Sequence, residues 1–256
     1  MKRYMALGAA LVALGAGGTA LGQKASAVGA AAQDTAGGLS LMPVTIEHNA
    51  QPGALAAMTV ANRSAAPLAV TVAARPWVQS ASGKVAPNRR ATLPGVSVDK
   101  TSFTLAPGAE QVVTATLDSA PSAGYLYGAI EAVGVPTDLS RRKGVVLGYR
   151  LVGALRILPA APRTGLTAGT PKAVRGTAVV SVKNTGNTLD AVSGTVRVKG
   201  SRGTKSLSLA ATKVLPGKSV NVPLGSKLAK GSYTASLSLK QRGKTVLSAT
   251  KRFRVK

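Results

Sequence analysis

The side chains able to do bond-making chemistry are few and scattered. His48 is the single histidine of the 256-residue chain, cysteine is absent, and eight carboxylates are spread from Asp34 to Asp190. A metal centre or a nucleophilic triad needs several such groups converging on one point. His48 stands beside a turn with no partner in sequence reach, so a surface imidazole is expected rather than a base or ligand. Ser97-Val98-Asp99-Lys100 fits S-x-x-K, but the companion Lys-Thr-Gly element is missing. Gly217-Lys218-Ser219 and Gly243-Lys244-Thr245 end like a phosphate loop, yet the glycine needed five residues earlier is Thr212 or Ser238. No pair of carboxylates stands in a context suited to glycoside hydrolysis. The expectation is a non-enzyme, with no catalytic residue, no metal and no cofactor.

Charge is the chemistry the chain does carry. Nineteen of its 33 Lys and Arg residues lie between Arg163 and Lys256, where Asp190 is the only acid, whereas residues 40–160 hold eleven bases and six acids. One-signed charge confined to half a chain raises the local concentration of polyanions, and so concerns partners rather than fold. Arg197, Lys199, Arg202 and Lys205 flank one expected hairpin, and Lys240, Arg242, Lys244, Lys251, Arg252, Arg254 and Lys256 crowd the last pair of strands. These eleven form the candidate polyanion-binding set, whose binding should weaken with salt; the plainer reading is a charged solvent face that keeps the chain soluble. Nucleic acid is disfavoured, because single-strand binders combine charge with stacking aromatics and this half offers only Tyr233 and Phe253.

Lesser candidates lie in the first half. Tyr125 and Tyr127, set between Gly124 and Gly128, form a possible ledge for wall material or a partner, or a pin for a sheet corner. Trp77 is expected to plug a core. Arg75 and Arg150 interrupt apolar strands and should pair with an acid such as Glu131. Asn62-Arg63-Ser64 matches a glycosylation acceptor, although a turn asparagine explains it equally.

The elements that must position these residues read as all-β. Lys2 and Arg3 precede an uncharged, glycine-interrupted run from Met5 to Leu21 and a small-residue site at Ala25-Ser26-Ala27, which reads as a signal peptide over residues 1–27. No second apolar run follows, so no transmembrane span is expected after cleavage. Residues 28–40 read as a disordered lead-in. Strands are expected near 41–47, 54–62, 68–79, 96–105, 110–118, 125–134 and 144–158, separated by turn chemistry such as Gln51-Pro52-Gly53 and Ala106-Pro107-Gly108. A proline-bounded connector, Pro159 to Arg163, opens a linker over 160–171. A second set follows near 175–184, 189–200, 204–211, 218–224, 231–241 and 245–255, with Lys251, Arg252, Arg254 and Lys256 expected on the solvent face and turns of positive φ expected at Asn184–Asn187 and Gly200–Gly203. Seven short strands in about 120 residues mark an immunoglobulin-like sandwich. The fold class is therefore two tandem immunoglobulin-like β-sandwich domains after a signal peptide, over 41–159 and 172–256.

The order of phrases adds a resemblance. Pro52-Gly53 before Ala57-Met58-Thr59-Val60-Ala61-Asn62-Arg63-Ser64, then Ser82-Gly83-Lys84, then Leu105-Ala106-Pro107-Gly108-Ala109-Glu110, resembles the first domain of the WxL-interacting proteins. Ala123 to Ile130 and Val145 to Leu151 continue the series, and Leu228 to Thr234, Arg242-Gly243-Lys244-Thr245 and Arg252-Phe253-Arg254-Val255 look like that family's second domain. The resemblance implies wall peptidoglycan contact by the first domain and protein partners for the second. It also implies a carboxy-terminal membrane helix, for which this sequence has no counterpart, and its second half is more basic than the family would suggest. A similar layout of paired sandwiches occurs in the PapD-like periplasmic chaperones.

The expected function is that of a secreted, non-enzymatic bacterial envelope protein, extracellular or wall-associated, meeting anionic cell-wall polymer or peptidoglycan. The alternative is a periplasmic-type chaperone or adaptor that lends a strand to, or accepts one from, another exported surface protein.

Overall fold

A chain whose apolar residues recur at every second position has one face to bury and pairs edge to edge to do so. The computed structural model describes residues 38–174 and 177–256. The expected signal peptide and residues 28–37 of the expected lead-in lie outside the described residues.

The first sandwich contains β1 (Leu39–Met42), β2 (Thr45–Asn49), β3 (Gly53–Asn62), β4 (Leu68–Gln79), β5 (Val85–Pro87), β6 (Val96–Val98), β7 (Ser102–Leu105), β8 (Glu110–Leu117), β9 (Leu126–Pro136) and β10 (Tyr149–Leu158). One sheet runs β1-β3-β8-β6; the other runs β2-β10-β9-β4-β5, with β7 also on β4. Alternate residues of β3, β4, β8, β9 and β10, among them Met58, Val60, Val70, Val72, Val113, Ile130, Leu155 and Ile157, meet in one core. Each such side chain contributes about 1.5–3 kcal/mol by leaving water.

The second sandwich contains β11 (Leu166–Ala168), β12 (Lys172–Val174), β13 (Thr177–Asn184), β14 (Ala191–Gly200), β15 (Gly203–Lys213), β16 (Ser219–Gly225), β17 (Gly231–Gln241) and β18 (Lys244–Val255). Its sheets are β11 and β12 on one side of β13 with β16 on the other, and β15-β14-β17-β18. Val180, Val182, Val196, Val222, Leu224, Leu237, Leu239 and Phe253 lie between them. The β17–β18 hairpin turns at Arg242 and Gly243, both at positive φ (49° and 76°), as a two-residue turn matched to strand twist requires.

Several expectations change in detail. Leu39 is buried and paired with Asn62, so ordered chain starts inside the stretch expected as a disordered lead-in. Likewise Leu166 is buried against the second core, and β11 occupies residues expected as linker. The expected strand at 41–47 breaks at Pro43, which has no amide hydrogen to offer a ladder, and its halves join different sheets. The strand expected over 144–158 begins only at Tyr149. Trp77 fills neither core: it shares the parity of Arg75, opposite the buried Val72 and Ala74, and lines a cleft with Arg156, Leu189 and Leu215. At Asn184–Asn187 no residue has positive φ, because Asn184 and Asn187 are buried and hydrogen-bonded instead.

The two sandwiches are built around the same polar keystone. Asn62, fully buried, donates from Nδ2 to the carbonyls of Ala66 (2.8 Å) and Leu105 (3.0 Å) and accepts at Oδ1 from the Ser64 amide (2.9 Å). Asn184 repeats this with the carbonyls of Thr188 (2.9 Å) and Val214 (2.7 Å) and the Gly186 amide (2.9 Å). In each case the asparagine carbonyl also accepts from the glycine of a Pro-Gly turn, Gly108 or Gly217 (both 2.9 Å). With both Nδ2 hydrogens engaged in a buried site, Asn62 acts as a structural clasp rather than a glycan acceptor.

Candidate functional site

Strand β10 is unequally covered along its length. Residues 154–157 pair with β2 on one side and β9 on the other, whereas Tyr149–Gly153 pair with β9 alone. The cause is the sheet switch at Pro43: β1 leaves to join β3, and β2 reaches β10 only where the Ala154 amide donates to the Val44 carbonyl (2.8 Å). Among the described residues nothing else pairs with the free half.

The sequence around this edge is apolar. Tyr149 and Leu151 pack against the first core, and the same parity continues upstream through Leu147 and Val145, which are 66% and 95% exposed. Met42 and Val44, at the switch, are 68% and 64% exposed, and Val152 is also partly exposed. A strand with unpaired backbone groups and uncovered apolar side chains is a template for another strand. Reading the sequence missed this site. Its signal was visible in the alternation Val145, Leu147, Tyr149, Leu151, but the absence of a ladder partner was not.

Beside the edge, the outer face of the same sheet gathers charge around one buried carboxylate. Glu131 on β9 is 4% exposed and is ion-paired to Arg75 on β4 (3.3 Å), to Arg150 on β10 and to Arg89 (3.8 Å). The pairing expected for Arg75 and Arg150 is thus present, with Arg89 in addition. These groups brace β4, β9 and β10, and three arginines around one carboxylate leave net positive charge on the outer face beside the edge.

The other end of β10 enters the junction between the sandwiches. Arg156 reaches Glu47 (2.6 Å), Arg242 reaches Asp190 (2.8 Å), and these four groups with Tyr127, Leu158 and Thr188 line a cleft of about 310 Å³. Two acids offset two bases, so the cleft is electrically balanced. Tyr127 donates its hydroxyl hydrogen to the Asn187 carbonyl (3.0 Å), and burial pushes its phenol above the ordinary value. Its ring meets Tyr125 at 5.7 Å between centroids. The two tyrosines therefore sit together, with Tyr127 turned toward the second sandwich. Gln79 completes the junction, donating to the Lys213 carbonyl (2.7 Å) and accepting from the Leu215 amide (2.9 Å), while the Asn221 amide donates to the Ala81 carbonyl (2.7 Å).

The eleven basic candidates of the second sandwich do not form one surface. Arg197, Lys199, Lys240, Arg252 and Arg254 stand on the outer face of β14, β17 and β18, exposed. Arg202, Arg242 and Lys244 lie at hairpin turns, Arg242 being held by Asp190, and Lys256 follows β18. Lys205 is paired with Val198, and Lys251 with Ala235, both buried residues, so these two have inward parity at the sheet's edge strands. The expectation of a solvent-face Lys251 is therefore corrected: counting by twos from Phe253 places it with Ala249 and Leu247.

Among the described residues there is no cluster of groups able to hold a metal ion, and no helix is long and apolar enough to cross a membrane. Ser97 and Lys100 serve the fold, Ser97 donating to Asp118 (2.6 Å) and Lys100 to the Val112 carbonyl (3.1 Å).

Comparison with known proteins adds the fold's relatives. No family model matches the sequence, and no curated protein matches it. Among solved structures, a chain from a study titled as a chaperone-tip adhesin complex vital for activation of CFA/I fimbriae biogenesis is 13% identical, with a TM-score of 0.53 over 84% of this chain and 99% of that one. The class 5 fimbriae chaperone CfaA is 15% identical, with a TM-score of 0.53 over 83% and 98%. At such identities the likeness speaks to architecture: the chain folds as two tandem immunoglobulin-like β-sandwiches, laid out as in fimbrial chaperones.

Proposed function

We propose that this protein is a non-catalytic chaperone or adaptor that lends its β10 edge to another exported protein. The observation that carries the reading is the continuation of the core-facing parity beyond the ladder, Val145 and Leu147 in water ahead of Tyr149–Gly153, which pair on one side only, with β9. A strand added there would gain main-chain hydrogen bonds from the open backbone and would cover alternate apolar side chains, which supply affinity and register respectively. Of the similar solved chains, one is a fimbriae chaperone by title and the other comes from a study titled for a chaperone-tip adhesin complex, and this supports a partner of the same general kind. Export of the chain, proposed from residues 1–27, places the encounter outside the cytoplasm. The resemblance to WxL-interacting proteins supports a setting at the wall, with Tyr125 and Tyr127 as a lesser contact of the first sandwich.

The test is co-purification of the tagged full chain from its native envelope fraction under a high-salt wash. A defined protein partner is expected, and Leu147→Asp with Val145→Asp should remove it while leaving the circular dichroism and melting temperature unchanged, because both side chains are exposed. Recovery of no partner, or retention by the double variant, would overturn the reading.

A further inference from the structure

The outer face of the β15-β14-β17-β18 sheet is not involved in the strand-lending reading, and its composition is unusual. Outward positions carry only hydroxyl and cationic groups over several adjoining rows. Register places Thr204, Lys199, Thr234 and Arg252 in one row across four strands, and Ser206, Arg197, Ser236 and Thr250 in the next. Ser232 stands beside Arg254 one row further on, and Ser232, Thr234, Arg252 and Arg254 line a shallow open depression together with Tyr233 and Phe253 from the opposite parity.

Spacing follows from strand geometry. Residues two apart on a strand are about 7 Å apart, and β14 and β18 are separated by two strand spacings, roughly 10 Å. Lys199 and Arg197 on β14, and Arg252 and Arg254 on β18, therefore flank a track floored by the β17 hydroxyls. No acid lies on this face, and among the described residues none of the four cations, nor Lys240, is in an ion pair. Keeping four like charges unneutralised on one sheet raises the energy of the folded state unless an anion screens them.

The face also discriminates among anions. Its outward positions carry no aromatic ring, and Tyr233 and Phe253 are turned inward and stacked on each other, which argues against base stacking by single-stranded nucleic acid. It has no exposed large apolar side chain to enter a bilayer, since the exposed large hydrophobic residues are elsewhere. Flat rows of hydroxyls between cations suit a chain that alternates phosphate with hydroxyl-bearing carbon. We propose that this face binds a linear polyol phosphate polymer, with Arg197, Lys199, Arg252 and Arg254 on its phosphates and Thr234 and Ser236 beneath it.

The experiment titrates the full chain with linear poly(glycerol phosphate) across a salt series. Each neutralised phosphate on a single flexible strand adds about −0.7 to the slope of log affinity against log salt, so four give a slope near −3. Replacing Arg197, Lys199, Arg252 and Arg254 together by Gln should lower affinity at low salt at least tenfold and flatten the slope by about 3. A matched variant with Lys205, Lys213, Lys218 and Lys227 replaced by Gln removes the same charge elsewhere and should keep most of the affinity. Equal losses in the two variants would reduce the effect to net charge and overturn the assignment, as would no binding by the parent at low salt. Tighter binding to single-stranded DNA or to phosphatidylglycerol vesicles at equal phosphate concentration would overturn it too.

Discussion

The two sandwiches share a frame and differ in what they leave unsatisfied. Each is clasped by a buried asparagine bonded to one nearby and one distant carbonyl and to a Pro-Gly turn. In the first, carboxylates take up arginines, and what remains open is backbone: the β10 half-edge and its apolar continuation. In the second, nineteen bases face a single acid, while the free edges carry charge, Lys251, Arg252 and Arg254 on β18 and Lys205 on β15. Charge along an edge repels an added strand, and exposed apolar side chains beside open backbone invite one. The contrast teaches that one architecture can present a pairing surface in one copy and an electrostatic surface in the next, without altering the core.

The shared frame can be broken in either copy. Asn62→Ala and Asn184→Ala should each cost about 3 kcal/mol, because each takes the side-chain partner from a buried distant carbonyl and from a backbone amide; denaturant unfolding measures it. Equal losses would establish the clasp as common to both sandwiches, and a loss below about 1 kcal/mol in one would end the equivalence. A smaller effect tests the charge contrast. Glu131→Gln should destabilise the chain by about 2 kcal/mol, less than a fully buried network because its arginines are partly exposed. Over the same unfolding curves, Arg254→Gln should change stability by less than 0.5 kcal/mol or raise it slightly, since it has no partner to lose.

A further effect concerns the junction. Burial raises the phenol pKa of Tyr127 above its ordinary 10.0, so the folded chain holds that proton more tightly than the unfolded chain. Stability is then complete below pH 10 and falls as pH rises beyond it, when the unfolded state gains by ionising. Tyr127→Phe should remove this alkaline limb and cost about 1 kcal/mol at neutral pH through the bond to Asn187. An unchanged alkaline limb in the variant would assign the loss to other groups.

Much of the fold was legible because alternation and turn residues are local signals. The limits of β3, β4, β8 and β17 follow closely from Gly53, Gln79, Pro107 and Arg242. What escaped depends on distant partners. Val145-Val146-Leu147 has strand propensity, yet propensity alone cannot say whether a neighbour is present to pair with it. The clasp asparagines look like ordinary turn residues because the carbonyls they reach lie 43 and 30 residues away. Two misplacements were avoidable: parity with Arg75 takes Trp77 out of the core, and parity with Phe253 takes Lys251 off the outer face. The basic face itself was legible only as a composition, since its five outward cations are sorted from the other six by register.

Strand β10 is continuous from the open edge to the cleft, roughly 30 Å at the rise of an extended chain. Its Tyr149 end is where a guest would be gripped, and its Arg156 and Leu158 end is where the two halves of the molecule are joined. An extended strand resists stretching, so tension applied by a captured guest would travel along it to the joint as along a tie rod.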